Sequence, residues 1–165
     1  MFKNLAVIII GFFAVIACEK IEPADPIPEI GFKDFKIEDG YDSIGNPTKN
    51  CELLFSFIDG DGDIGLIKYE SDTVDPRNIF IVPFNKSEDS YSREDDLDTL
   101  TFWIKYDDKM ERVGQNKTLK GEIKVLFNLY LKFISDYDTL KFDFYIIDRA
   151  GNESNVESTN DVAFN

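Results

Sequence analysis

Ile123-Lys124-Val125-Leu126-Phe127-Asn128-Leu129-Tyr130-Leu131-Lys132-Phe133 places an apolar side chain at every odd position. Glu122, Lys124, Asn128 and Lys132 fall on the other face. Successive side chains of a strand point to opposite faces, so this is a strand with one face on a core. A helix would need apolar residues three and four apart. The run is long for a strand, and a bulge or bend partway along it is expected.

The same period recurs on both sides. Upstream, Phe32, Phe35 and Ile37 make a first strand whose alternation slips at Lys33-Asp34, which predicts a kink. Cys51, Leu53, Phe55 and Phe57 share one face of a second. Ile79–Phe84 is apolar on both faces and is expected at a sheet centre. Leu100, Phe102, Ile104 and Tyr106 make a fourth strand. Ser87–Asp98 is polar and acidic and reads as a surface loop. Downstream, Leu140, Phe142, Phe144 and Ile146 form another strand, and a weaker one lies between Val156 and Phe164. Asp39-Gly40 and Gly45-Asn46-Pro47 are turn signals. No stretch sustains a helical period. About seven short strands with turns between them predict an all-β, antiparallel β-sandwich.

Composition agrees. Phenylalanine numbers 15 and tyrosine 7, and after Cys18 the only alanines are Ala24, Ala150 and Ala163. Aromatic enrichment with scarce alanine favours sheets over helices. The chain has 165 residues, enough for one domain and a tether. A net charge of −14 argues against nucleic acid and against adsorption to anionic lipid. Histidine is absent, which excludes a histidine triad, a histidine general base and imidazole zinc ligation. No nucleophile elbow and no phosphate loop is present.

The stretch that carries chemistry is Asp59-Gly60-Asp61-Gly62-Asp63-Ile64-Gly65, at the end of the second strand. Its three carboxylates fall at every second residue, and glycine lets such a loop fold sharply. Carboxylates at positions 1, 3 and 5 suit a hard, oxygen-seeking cation such as calcium. An EF-hand is rejected. Glu70 stands at position 12, but Ile64 replaces the glycine of position 6 and the flanks read as strands. The alternative is an acidic turn without an ion. Exposed carboxylates repel one another by only about 1 kcal/mol per close pair, so such a loop can survive without one. Glu94-Asp95-Asp96 reads as a solvated loop. Trp103 and Tyr145 could stack on a sugar or pack between sheets.

The N-terminus has the form of an address. Lys3 is followed by an unbroken apolar or small run, Leu5–Ile16, of signal-peptide length. The run ends Val15-Ile16-Ala17-Cys18, which resembles the lipobox of bacterial lipoproteins. That resemblance implies cleavage after residue 17 and lipidation of Cys18. Residues 18–29 carry Pro23, Pro26 and Pro28 among acids and read as an extended tether. Residues 30–165 are then the sandwich domain. Cys51, left without a partner, is expected to be a small buried residue of a strand.

Two further motifs resemble those of immunoglobulin-like domains. Asp138-Thr139-Leu140-Lys141-Phe142 is similar to the Asp-x-Ala-x-Tyr entry to that fold's sixth strand, with Phe142 in place of the tyrosine. Asp148-Arg149-Ala150-Gly151-Asn152 is similar to the Asp-x-Ala-Gly-Asn loop of bacterial immunoglobulin-like surface domains. With the lipobox and the acidic loop, the chain resembles small immunoglobulin-like lipoproteins of Gram-negative bacteria, most without an assigned activity. The resemblance implies an immunoglobulin-like sandwich lipid-anchored to the outer membrane. In such a sandwich the two loops share one end. Asp148 and Asn152 would then join Asp59, Asp61 and Asp63 around a calcium ion. The expected role is non-enzymatic, a binding or structural module with a protein or glycan partner. The rivals are a glycan-acting enzyme using paired carboxylates and an accessory subunit of an outer-membrane assembly.

Overall fold

The computed structural model describes residues 24–65, 77–94, 97–104 and 117–164. The lipobox with Cys18, and also Glu70, Asp95, Asp96 and Tyr106, lie outside the described residues. Two antiparallel sheets pack face to face. One holds β1 (Glu29–Tyr41), β2 (Pro47–Asp59) and β6 (Leu119–Tyr130), in the order β1-β2-β6. The other is centred on β3 (Ile79–Ser87) and β7 (Thr139–Ile146). On the outer side of β3 lie β4 (Ser90–Ser92) and β5 (Leu100–Phe102). On the outer side of β7 lie β8 (Glu157–Ser158) and β9 (Val162–Ala163). This division of strands is that of an immunoglobulin-like sandwich.

The strands form where one face can be buried. Cys51, Leu53, Phe55 and Phe57 of β2 are buried while the residues between them are half-buried or exposed. Leu140, Phe142, Phe144 and Ile146 of β7 do the same from the facing sheet. Rings lock the two layers together. Phe55 meets Phe144 at 5.2 Å between centroids, and Phe35 stacks on Phe142 at 5.4 Å. Such pairs add about 0.5–1.5 kcal/mol beyond the area they bury. The kink foreseen in the first strand is a bulge, with the register shifting between Phe32 and Asp34. Cys51 is buried, and burial pushes its thiol up to about 12.

The structure corrects several readings. Asp39 and Gly40, expected in a turn, lie inside β1 and pair with Lys49 and Thr48 of β2. β6 runs without a bulge against β2 and stops at Tyr130, so Leu131–Phe133 do not extend it. Leu131–Ile134 instead form a helical turn, α1, with Ser135 N–H donating to Leu131 O at 2.8 Å. The last rung of the β2–β6 ladder is Thr48 with Tyr130. Beyond it the chain has no strand to pair with, and its backbone groups turn to one another. Ser87–Asp98 is not all loop, because Ser90–Ser92 form β4 on the edge of β3. β5 ends at Phe102, two residues before Ile104. The final strand is two short pieces, β8 and β9.

The stretch read as a solvated tether is held at its end. Pro28 is fully buried, β1 begins at Glu29, and Asp25 O accepts the Gly60 N–H at 3.0 Å.

Candidate metal centre

β2 delivers Asp59 inward as its last residue, on the face shared by Leu53, Phe55 and Phe57. That parity buries it completely. Its Oδ2 accepts the Ile64 N–H at 2.8 Å, which closes the loop into a tight turn. Both inner glycines are required by crowding. A Cβ on Gly60 would lie 2.2 Å from the carbonyl oxygens of Ala24 and Asp25. At Gly62, φ is +71° and a Cβ would lie 2.2 Å from Lys117 O. Thr118 Oγ1 donates to Gly60 O, so the loop is gripped from both sides.

β7 ends beside it and leads to Asp148, which is 6% exposed. Asn152 holds that carboxylate twice, its backbone N–H to Oδ1 and its amide nitrogen to Oδ2, each at 2.8 Å. The two loops are joined directly. Ala150 N–H donates to Asp63 Oδ2 at 3.1 Å, and Arg149 Nε donates to Asp63 O at 2.9 Å. Asp59, Asp63 and Asp148 each offer a carboxylate oxygen within 4.8 Å of the others. Asp61 is not among the three that converge; it adjoins them, and its charge raises both Asp59 and Asp63. The five residues picked from the sequence thus lie in two adjoining loops at one end. Asn152 is seen orienting Asp148. The bridging roles of Arg149 and the Ala150 N–H were not read from the sequence. The signal for Arg149 was a cation standing next to Asp148.

The electrostatics of this cluster are unbalanced. Asp59 Oδ1, Asp61 Oδ1 and Asp63 Oδ1 are buried and have no hydrogen-bond partner. A buried polar oxygen without a partner is costly. Burial pushes the Asp59 carboxyl up to about 6, with the charges of Asp61 and Asp63 adding and the Ile64 N–H opposing. Burial raises Asp63 as well, helped by the charges of Asp148 and Asp61 and resisted by Arg149 and the Ala150 N–H. The residues present fit a metal ion of oxygen preference. Calcium takes oxygens at about 2.4 Å, so ligands on opposite sides of it stand about 4.8 Å apart. The three carboxylate oxygens, none more than 4.8 Å from another, are close enough to reach one such ion.

The remaining candidates lie elsewhere. Glu94 accepts from Asn85 and Ser92 beside β4. Tyr145 stacks on Phe80 at 5.0 Å, and Trp103 is exposed. No family model, no curated protein and no solved structure matches this chain.

Proposed function

We propose that this chain is a lipid-anchored module of the cell envelope whose loop end binds a calcium ion. Its role in this reading is binding or structural, without catalysis. The observation that carries the metal is the trio of buried, partnerless carboxylate oxygens on Asp59, Asp61 and Asp63, with Asp148 beside them. An ion of charge +2 satisfies all of them at once, and a chain without histidine offers it an oxygen cage. Asp59, Asp61, Asp63 and Asp148 would supply carboxylates, and Asn152 would hold Asp148 in place. The complete burial of Asp59 speaks against a glycosidase pair, since a general acid must reach its substrate. The location outside the cytoplasm rests on the lipobox ending at Cys18 and on the Asp148–Ser154 loop.

Modules outside the cytoplasm bind calcium at roughly 0.1–1 mM. At ten times the dissociation constant the ion stabilises the fold by about 1.4 kcal/mol. For a domain of this size Tm rises by roughly 3–6 °C. Chelator should remove that rise, and magnesium should restore it poorly because it demands a smaller octahedral cage. A melting curve indifferent to calcium and to chelator would leave the loop an acidic turn. Cys18→Ala should abolish fatty-acid labelling in cells, and a mutant that labels as well as wild type removes the anchor.

A further inference from the structure

At the other end of the sandwich the edge of the second sheet is broken. β5 pairs with Ile79–Ile81 and β4 with Asn85–Ser87, so Val82–Phe84 have no partner on that side among the described residues. Pro83 sits in the middle of the gap and has no N–H to offer a neighbour. The chain leaves the edge there, and a window opens onto the space between the sheets. Behind it lies a cavity of about 290 Å³, open on one side. Its floor is Leu97, Ile134, Leu140 and Phe142, all buried in the core. Leu100 and Leu129 wall it, both half-buried.

The rim is different. Asp98, Asn128 and Tyr130 stand around the opening, and none of the described residues lining the cavity is a lysine or arginine. A cavity of about 150 Å³ lined by aliphatic side chains takes a benzene ring. The volume here takes a bicyclic ring system. The rim presents a carboxylate, an amide and a phenol, so it complements a hydrogen-bond donor or a positive charge. We propose that this cavity is a binding site for a small organic cation, an amine carried on a bicyclic aromatic body. The ring lies on Leu100, Leu129 and Phe142, and the ammonium faces Asp98. Ligand pockets commonly have this form, an apolar body with few polar groups at fixed places. The site is independent of the metal centre.

Three probes of one shape and different charge test it: tryptamine, 3-ethylindole and indole-3-propionate, each titrated calorimetrically into the purified protein. The expected result is saturable one-to-one binding, with tryptamine about 5–10-fold tighter than the neutral indole and the acid weakest. Asp98→Asn on the exposed rim should bring tryptamine down to the level of 3-ethylindole. Leu129→Trp should fill the cavity and weaken tryptamine and 3-ethylindole at least 10-fold, with far-ultraviolet dichroism confirming the fold. Should Leu129→Trp fail to fold, the Asp98→Asn comparison decides alone. Absence of saturable binding by any probe overturns the proposal. So does acid binding as tight as amine binding, or undiminished binding by a folded Leu129→Trp.

Discussion

The two ends of this sandwich are incomplete in different ways. At the acidic end the backbone is packed so closely that Gly60 and Gly62 have no room for a Cβ. Carboxylates there outweigh the nearby Arg149 guanidinium, and three buried carboxylate oxygens have no hydrogen-bond partner. At the Pro83 end the charges are solvated. What is missing there is volume, about 290 Å³ beside a fully buried Leu140 and Phe142. A charge deficit would be relieved by a cation and a packing deficit by an apolar body, so the two ends differ in the kind of group each could accept.

The largest effect lies between the ends and should be blind to both. Phe144 is fully buried and touches Phe32 and Phe55 of the opposite sheet. Phe144→Ala should cost about 3–5 kcal/mol in urea unfolding, with or without calcium. A cost that vanished in chelator would mean the sheets are held by the ion and not by the rings.

Leu129 walls the window and is only half-buried. Leu129→Ala should cost less, about 1–2 kcal/mol, because the space around it is already open. A loss as large as that of Phe144→Ala would show that the window is closed in solution.

Asp61→Asn sharpens the contrast from the acidic side. It should erase most of the roughly 1.4 kcal/mol that calcium contributes at ten times its dissociation constant. Melting in chelator should leave the variant as stable as wild type or slightly more so, because one repulsive charge is gone. A variant that responds to calcium as fully as wild type takes Asp61 out of the site.

The smallest effect is a pH dependence confined to the same end. The Asp59 carboxyl is raised from an ordinary 3.8 to about 6 by burial. The folded protein therefore holds a proton that the unfolded chain has lost. That contribution is fully present below 3.8 and disappears as pH rises through about 6. In chelator, lowering the pH from 7 to 5 should raise stability by about 1 kcal/mol. The calcium-induced rise in Tm should shrink over the same interval, since the ion requires the carboxylate. Half-buried Asp42 and Glu52 and exposed Asp161 have lowered values, and the stability they contribute is lost as pH falls through and below the ordinary carboxylate range. A chelated protein that loses stability between pH 7 and 5 contradicts the raised carboxyl.

The strands were legible because burial imposes a period on them. Cys51–Phe57 and Leu140–Ile146 alternate in sequence and in exposure alike. The meeting of Asp59 with Asp148 was legible for a related reason, since fold connectivity alone puts those loops at one end. What escaped was set by partners rather than by pattern. Leu131-Lys132-Phe133 continues the alternation of β6, yet the chain coils there because β2 offers no further rung after Thr48. β4 has no apolar period because it is an exposed edge, all three residues facing water. The window behind Pro83 depends on two short strands stopping on either side of it, which no single stretch records.

The lead-in segment has one more consequence, and it is mechanical. The chain enters the sandwich beside the acidic loop, where Asp25 O meets Gly60 N–H. It reaches Phe164 at the opposite end, where Phe164 N–H donates to Asp138 O ahead of β7. A load applied between these two points runs along the strands. Interstrand hydrogen bonds lie across that direction, so the long β1–β2 ladder is sheared as a whole instead of being unzipped rung by rung. Among the described residues, the first backbone bond between segments that such a load meets on the N-terminal side is the one to Gly60, which ties the traction line to the loop that carries the unbalanced charge.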